Sequence, residues 1–282
     1  MKMVLHGLGL VGVMVLSGCS GSSSSSGDFP TLVDLPANDT ITIDAFEASG
    51  QFLIDPVTGA QITNIGQSGE QVTLTTDPSS ILNSATLSSR LGELSYDCSD
   101  PGTTCTQSGA EVDLSDADSF VRFANPVEGR FEYQTFGRWV RFGQTTGDLS
   151  SFSTGFRTES RAGLPNTADY VGVAEGVTDR NGASEVVRAD VQISTDFSTA
   201  TFTTSNTQVF DNGGSADAPE LDLSGTLAVN GTGMTGSASS TQVAGTVDAQ
   251  LYGPNGEEIG GVFVTNGQVG DYFGSFGGSR TP

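Results

Sequence analysis

Lysine and histidine are almost missing from this sequence: Lys2 and His6 are the single copies of each in 282 residues. Both lie in residues 1–19, MKMVLHGLGLVGVMVLSGC, where one basic residue, an apolar run and small residues have the layout of a secretory signal. The run is too short for a bilayer-spanning helix with proper flanks. Removing residues 1–18 leaves 264 residues with neither lysine nor histidine. That excludes histidine-based triads and metal sites, Ser-Lys dyads, Schiff bases and the phosphate-binding lysine of a P-loop. Positive charge is scarce altogether, and the formal net charge of −22 becomes −23 once Lys2 is lost. A surface this acidic repels nucleic acid, so no nucleic-acid partner is expected.

Helical periodicity is also absent beyond the signal. Short alternating runs take its place, among them TITIDAF, QVTLTTD, EVVRADVQIS, TATFTTSN and DLSGTLAVN, separated by Gly, Asn, Asp and Pro turns. The fold class expected is all-β. RTESRAGLPNTADY, around Pro165, interrupts the strand pattern and divides the chain. Residues 28–160 read as a β-rich N-terminal region, and residues 161–282 as a barrel. The latter carries eight short strands near 168–178, 185–195, 199–209, 220–229, 233–240, 243–252, 258–265 and 270–278, enough for an up-and-down antiparallel β-barrel.

Cysteine is limited to three residues. Leu16-Ser17-Gly18-Cys19 resembles the lipobox of bacterial lipoproteins, which makes Cys19 the expected lipidation site and the membrane a partner through an N-terminal lipid anchor. Ser20 follows where an Asp would favour the inner membrane, so the outer membrane is the expected location. Residues 19–27 then form a Ser/Gly tether. Cys98 and Cys105 flank an Asp-Pro-Gly turn in YDCSDPGTTCTQ, and in an oxidising compartment they are expected to form a disulfide. A metal site there lacks further ligands, and no metal or cofactor is expected.

Two matches to G-x-G-x-x-G carry no dinucleotide reading. GLGLVG, from Gly7, belongs to the signal, and GTGMTG, from Gly231, joins two strands with no helix to receive a pyrophosphate. The aspartates of EVDLSDADSF lack the spacing and glycine of an EF-hand loop. Carboxylates are the abundant chemical groups, and a glycosidase needs only two facing one sugar bond. Adjacent Glu257 and Glu258 cannot serve, because neighbours on a strand point to opposite faces. RFEYQTFGRWVRFG gathers aromatics and arginines as binding hot spots do, making Arg130, Tyr133, Arg138, Trp139 and Arg141 candidate binding residues, with Trp139 the most testable contact. Strand alternation offers the other account, aromatics inward and arginines outward.

The C-terminal half resembles the β-barrel domain of transferrin-binding protein B-like surface lipoproteins. The stretches ADYVGVAEG, ADVQISTDFSTATFT, LDLSGTLAVNGTGMTGSAS, AGTVDAQLYGPNGEEIGGVF and GDYFGSFGGSR follow its order and spacing. Tyr252, Gly253, Pro254, Glu257, Gly260, Gly261 and Phe263 match its signature hairpin, and Gly274, Phe276, Gly277 and Gly278 the strand after it. The resemblance implies a handle-like N-terminal region beside the barrel. It implies a non-enzymatic, outer-membrane, cell-surface lipoprotein that binds a host or environmental protein, or an iron or haem source. Haem iron would need Tyr133, Tyr170, Tyr252, Tyr272 or Met234. A structural or adhesion lipoprotein and a carboxylate-only glycoside hydrolase remain as alternatives.

Overall fold

The computed structural model describes residues 29–32, 40–55, 59–77, 80–89, 92–126, 128–129, 131–182, 184–211 and 214–282. The signal, Cys19 and the 19–27 tether lie outside the described residues, as does Arg130. No helix among the described residues is long and apolar enough to cross a membrane.

Among the described residues, nine strands precede Pro165: β1 (Thr40–Asp55), β2 (Gly59–Asp77), β3 (Ser80–Ser89), β4 (Gly92–Asp97), β5 (Thr104–Ser108), β6 (Glu111–Ser115), β7 (Ser119–Ala124), β8 (Gln134–Phe142) and β9 (Thr146–Gly155). They form one antiparallel sheet in the order β4-β3-β2-β1-β9-β8-β7-β6-β5. The two edge strands, β4 and β5, are consecutive in sequence. For a six-residue loop to join them the sheet must curl back on itself. The Cys98–Cys105 disulfide closes that loop, with Cα atoms 5.8 Å apart. Asp97 and Asp100 hold the loop by accepting backbone N–H bonds from Ser99 (2.8 Å) and Gly102 (3.0 Å). The Tyr96 hydroxyl donates to Ser119 Oγ (2.7 Å) and Arg141 Nη2 to the Glu93 carbonyl (2.6 Å), tying β4 to β7 and β8 across the roll. Inside the curl, Leu32, Tyr96, Leu114, Val121, Trp139 and Phe152 form the handle's own core.

The second sheet holds β10 (Ala168–Thr178), β11 (Glu185–Thr195), β12 (Thr199–Asp211), β13 (Gly214–Asp217), β14 (Ser224–Asn230), β15 (Gly233–Ser239), β16 (Val243–Tyr252), β17 (Glu258–Gly267) and β18 (Gly270–Arg280). Pairing β10 with β18 and β11 with β12 closes eight antiparallel strands into the expected barrel, and β13 hooks onto β12 outside it. The strand expected near 220–229 starts later, at Ser224, because Pro219–Leu221 forms a 3₁₀ turn with Pro supplying the fixed φ at its start. The bore is filled by Tyr170, Phe202, Leu227, Phe263, Tyr272 and Phe276 among others. Phe263 meets Tyr272 edge-on at 4.8 Å. Each such buried ring contributes roughly 1.5–3 kcal/mol.

β17 and β18 are buried on both faces along most of their length, a pattern that one filled bore cannot produce alone. Their outer face packs on the handle, where Phe52, Val140 and Leu149 meet Val262 and Phe273.

Candidate functional site

β8 packs against the barrel together with β9 and β1. Its alternation splits RFEYQTFGRWVRFG between two interiors: Trp139 enters the handle core, while Val140 joins the apolar contact with the barrel. Trp139 is 1% exposed, so the contact role expected for it does not hold: the pleat turns its indole away from solvent. The simple picture of outward arginines is corrected as well. Arg138 is buried on the barrel side, where its Nη1 lies 2.7 Å from Glu175 Oε1. Neither atom meets a directed hydrogen-bond geometry, so charge rather than alignment holds the pair. Burial lowers the Arg138 pKa and the Glu175 carboxylate pulls it back. Tyr133 is half-buried, its ring edge-on to Phe29 at 5.8 Å. Arg141 is half-exposed, with its guanidinium spent on Glu93.

The signature hairpin explains itself at this seam. Gly253 and Gly256 adopt φ of +84° and +64°, which glycine alone takes without cost, and place Pro254 and Asn255 at the tip. Glu257 accepts from the Asn255 backbone N–H (2.8 Å) and side-chain amide (2.9 Å), bracing the turn. Glu258 points the other way. Its buried carboxylate accepts backbone N–H bonds from Glu132 (2.6 Å), Tyr133 (3.1 Å) and Gln134 (3.0 Å), clamping the entry of β8 to the barrel. Burial drives its pKa up to about 7, against the three donors that favour the ionised form. At Gly260 and Gly277 the handle presses so closely that a Cβ would lie 2.0 Å from Gln134 Oε1 and 2.5 Å from the Phe136 ring. Phe263, from the same signature, fills the bore, while Tyr252 reaches Ser153 Oγ at 3.3 Å. Gly261 packs instead against the neighbouring strand at Asp248.

Beside this contact, β6–β8 of the handle and β10–β12 of the barrel enclose a groove of about 460 Å³. Arg188 spans it, pairing with Glu111 of the handle and lying 3.9 Å from Glu175 of the barrel. Glu111 also faces Arg122 at 3.6 Å. Sequence reading missed this network. Glu175 and Arg188 face each other across the β10–β11 hairpin, but Glu111 comes from the handle, far away along the chain, and no local pattern marks it as their neighbour. Glu258 was legible only as half of an adjacent pair pointing to opposite faces.

Tyr170, Tyr252, Tyr272 and Met234, the residues considered for haem iron, are at most 3% exposed, inside the molecule. Among the described residues no three His, Cys, Asp or Glu side chains cluster as a metal site would require. Glu111 and Glu175, two carboxylates that line the groove, are engaged by arginines.

A family model described as the C-lobe and N-lobe β-barrels of Tf-binding protein B matches residues 126–280. Among solved structures, a single-site variant of transferrin-binding protein B from Haemophilus parasuis Hp5 is 10% identical, covering 87% of this chain and 78% of its own, with a TM-score of 0.47. HpuA from Kingella denitrificans, in complex with human haemoglobin, is 15% identical, with 89% and 91% coverage and a TM-score of 0.42. The N-lobe of lactoferrin-binding protein B from Moraxella bovis is 14% identical, with 84% and 99% coverage and a TM-score of 0.39. No curated protein matches the chain. With the family match spanning more than half of its length, the chain belongs to the family of the transferrin-binding protein B β-barrels.

Proposed function

We propose that this protein is an outer-membrane lipoprotein, anchored through Cys19, that captures a protein outside the cell without catalysing a reaction. The observation that carries the reading is a barrel of this family whose bore is filled by its own side chains, leaving the outer surfaces of handle and barrel for recognition. The domain plan is a signal at 1–18, a tether at 19–27, a handle at 28–160 and a barrel at 161–282. The filled bore argues against haem as the direct ligand, since four of the five candidate iron ligands are sealed inside.

The position of Phe29 supports an orientation. It packs on Tyr133, whose ring lies against Gly253 at the β16–β17 turn. The ten residues from Cys19 to Phe29 reach at most about 36 Å, which supports an arrangement with that turn nearer the membrane than the opposite end of the barrel. In that arrangement the β10–β11, β15–β16 and β17–β18 turns, at the opposite end of the strands, face away from the membrane.

Protease shaving of intact cells tests the reading. Loss of the barrel from intact cells, and its retention in the Cys19→Ala variant, is the expected result. Immobilised protein is then offered human haemoglobin and transferrin, the partners in the printed names of the similar structures. Full protection of the barrel on wild-type cells would overturn the surface assignment. Absence of any captured protein would favour a structural envelope role.

A further inference from the structure

The groove between handle and barrel combines an apolar floor with an unbalanced rim. Phe131 and Phe136 meet edge-on in its floor, ring centroids 5.6 Å apart at 78°. Val173, 48% exposed, forms an open apolar wall that no element among the described residues covers. On the rim, the Arg188 guanidinium answers Glu111, and Glu175 is answered from behind by Arg138, which is buried and does not line the groove. Asp190 is the remaining carboxylate. Among the described residues no cation pairs with it, and its bond comes from the neutral amide of Asn206 at 2.7 Å. A bulge aims that amide. β11 and β12 slip register between Arg188 and Asp190, and Asn206 stands there at φ +54°, a conformation that Asn tolerates better than most residues. The groove's volume, about 460 Å³, falls among those of ligand pockets, roughly 300–1,000 Å³.

We propose that this groove receives a basic side chain, lysine or arginine, of the captured protein. Its methylene stem lies on Phe131, Phe136 and Val173, and its charged head reaches Asp190, the way long cationic side chains bury stems while keeping heads polar. Charge complementarity holds at two ranges, because the chain's strongly negative balance steers a basic surface toward the same groove. The inference rests on the capture reading and names the kind of residue recognised.

Nα-acetyl-lysine methylamide, with the neutral Nα-acetyl-norleucine methylamide as control, is titrated into isotope-labelled protein and followed by two-dimensional NMR. The expected result is saturable shifts at Val173, Asp190 and Asn206 for the lysine probe, with the norleucine probe about threefold to fivefold weaker, as an exposed ion pair allows. Asp190→Asn should bring the lysine probe to the level of norleucine. Val173→Trp, at a half-exposed position that leaves the fold intact by circular dichroism, should fill the groove and abolish both. Absence of saturable shifts, equal binding of the two probes to wild type, or undiminished binding to the folded Val173→Trp protein would overturn the proposal. The probe needs no partner protein. Lysine binding without capture on cells would therefore refute only the capture reading, and capture without lysine binding only the groove.

Discussion

At the scale of single residues, the seam depends on two ionisable groups placed where water is excluded. Glu258 has an ordinary carboxyl value of 4.5 in the unfolded chain and about 7 when folded, raised by burial. The folded state therefore binds the extra proton between those values. The stability linked to it is complete below about pH 4.5 and is lost as the pH rises through 7. Urea denaturation across this range should show that slope in the wild type and a flatter one in Glu258→Gln, which cannot titrate; parallel slopes would remove Glu258 as its source. Glu258→Ala leaves three backbone N–H groups without their acceptor, a protonated carboxyl at this pH, and is expected to cost about 2 kcal/mol at pH 5. Arg138 and Arg188 separate burial from charge. Arg138→Ala removes the nearer partner of the largely buried Glu175 carboxylate, leaving it only Arg188 at 3.9 Å, and is expected to cost about 3 kcal/mol, whereas Arg188→Ala removes a half-exposed ion pair worth less than about 1 kcal/mol. Thermal or urea unfolding of the two variants decides between them; equal losses would refute the distinction.

At the scale of elements, the handle sheet faces a problem that the barrel solves by closure. β4 and β5 expose edges without a ladder partner on one side, and the chain answers by curling the sheet and joining those edges covalently. Cys98→Ser with Cys105→Ser should lower stability by about 2 kcal/mol, the loop-closure entropy of so short a ring. The loss should appear as earlier exchange of β4 and β5 amides, with barrel amides unchanged. Equal acceleration in both sheets would show that handle and barrel unfold as one unit. Strand identities in the barrel were legible because its alternation is clean and Gly, Asn and Pro mark the turns. β13 was not, being four exposed residues with no apolar face to repeat. β8 misled for the opposite reason: with both faces buried, its apolar and charged residues no longer report which side meets water.

At the scale of the whole molecule, the acidic balance works against compactness, since like charges repel across the surface. Salt screens that repulsion more than it screens the buried Arg138–Glu175 pair, so the melting temperature is expected to rise between about 0.05 and 0.5 M NaCl. A steady fall would mean that screened surface ion pairs contribute more than the net charge costs. The sequence by itself determined that this is an all-β chain with a barrel of eight strands. Period-two alternation and turn residues are local signals, and the signature glycines and aromatics sit in one hairpin. It also confines lysine and histidine to Lys2 and His6, so neither handle nor barrel carries their chemistry. Only the tertiary structure decided where recognition can occur. The filling of the bore, the burial of Trp139, the clamp of Glu258 and the groove around Asp190 all arise from segments distant in the chain pressed together. Neither propensity nor spacing encodes which distant faces will meet.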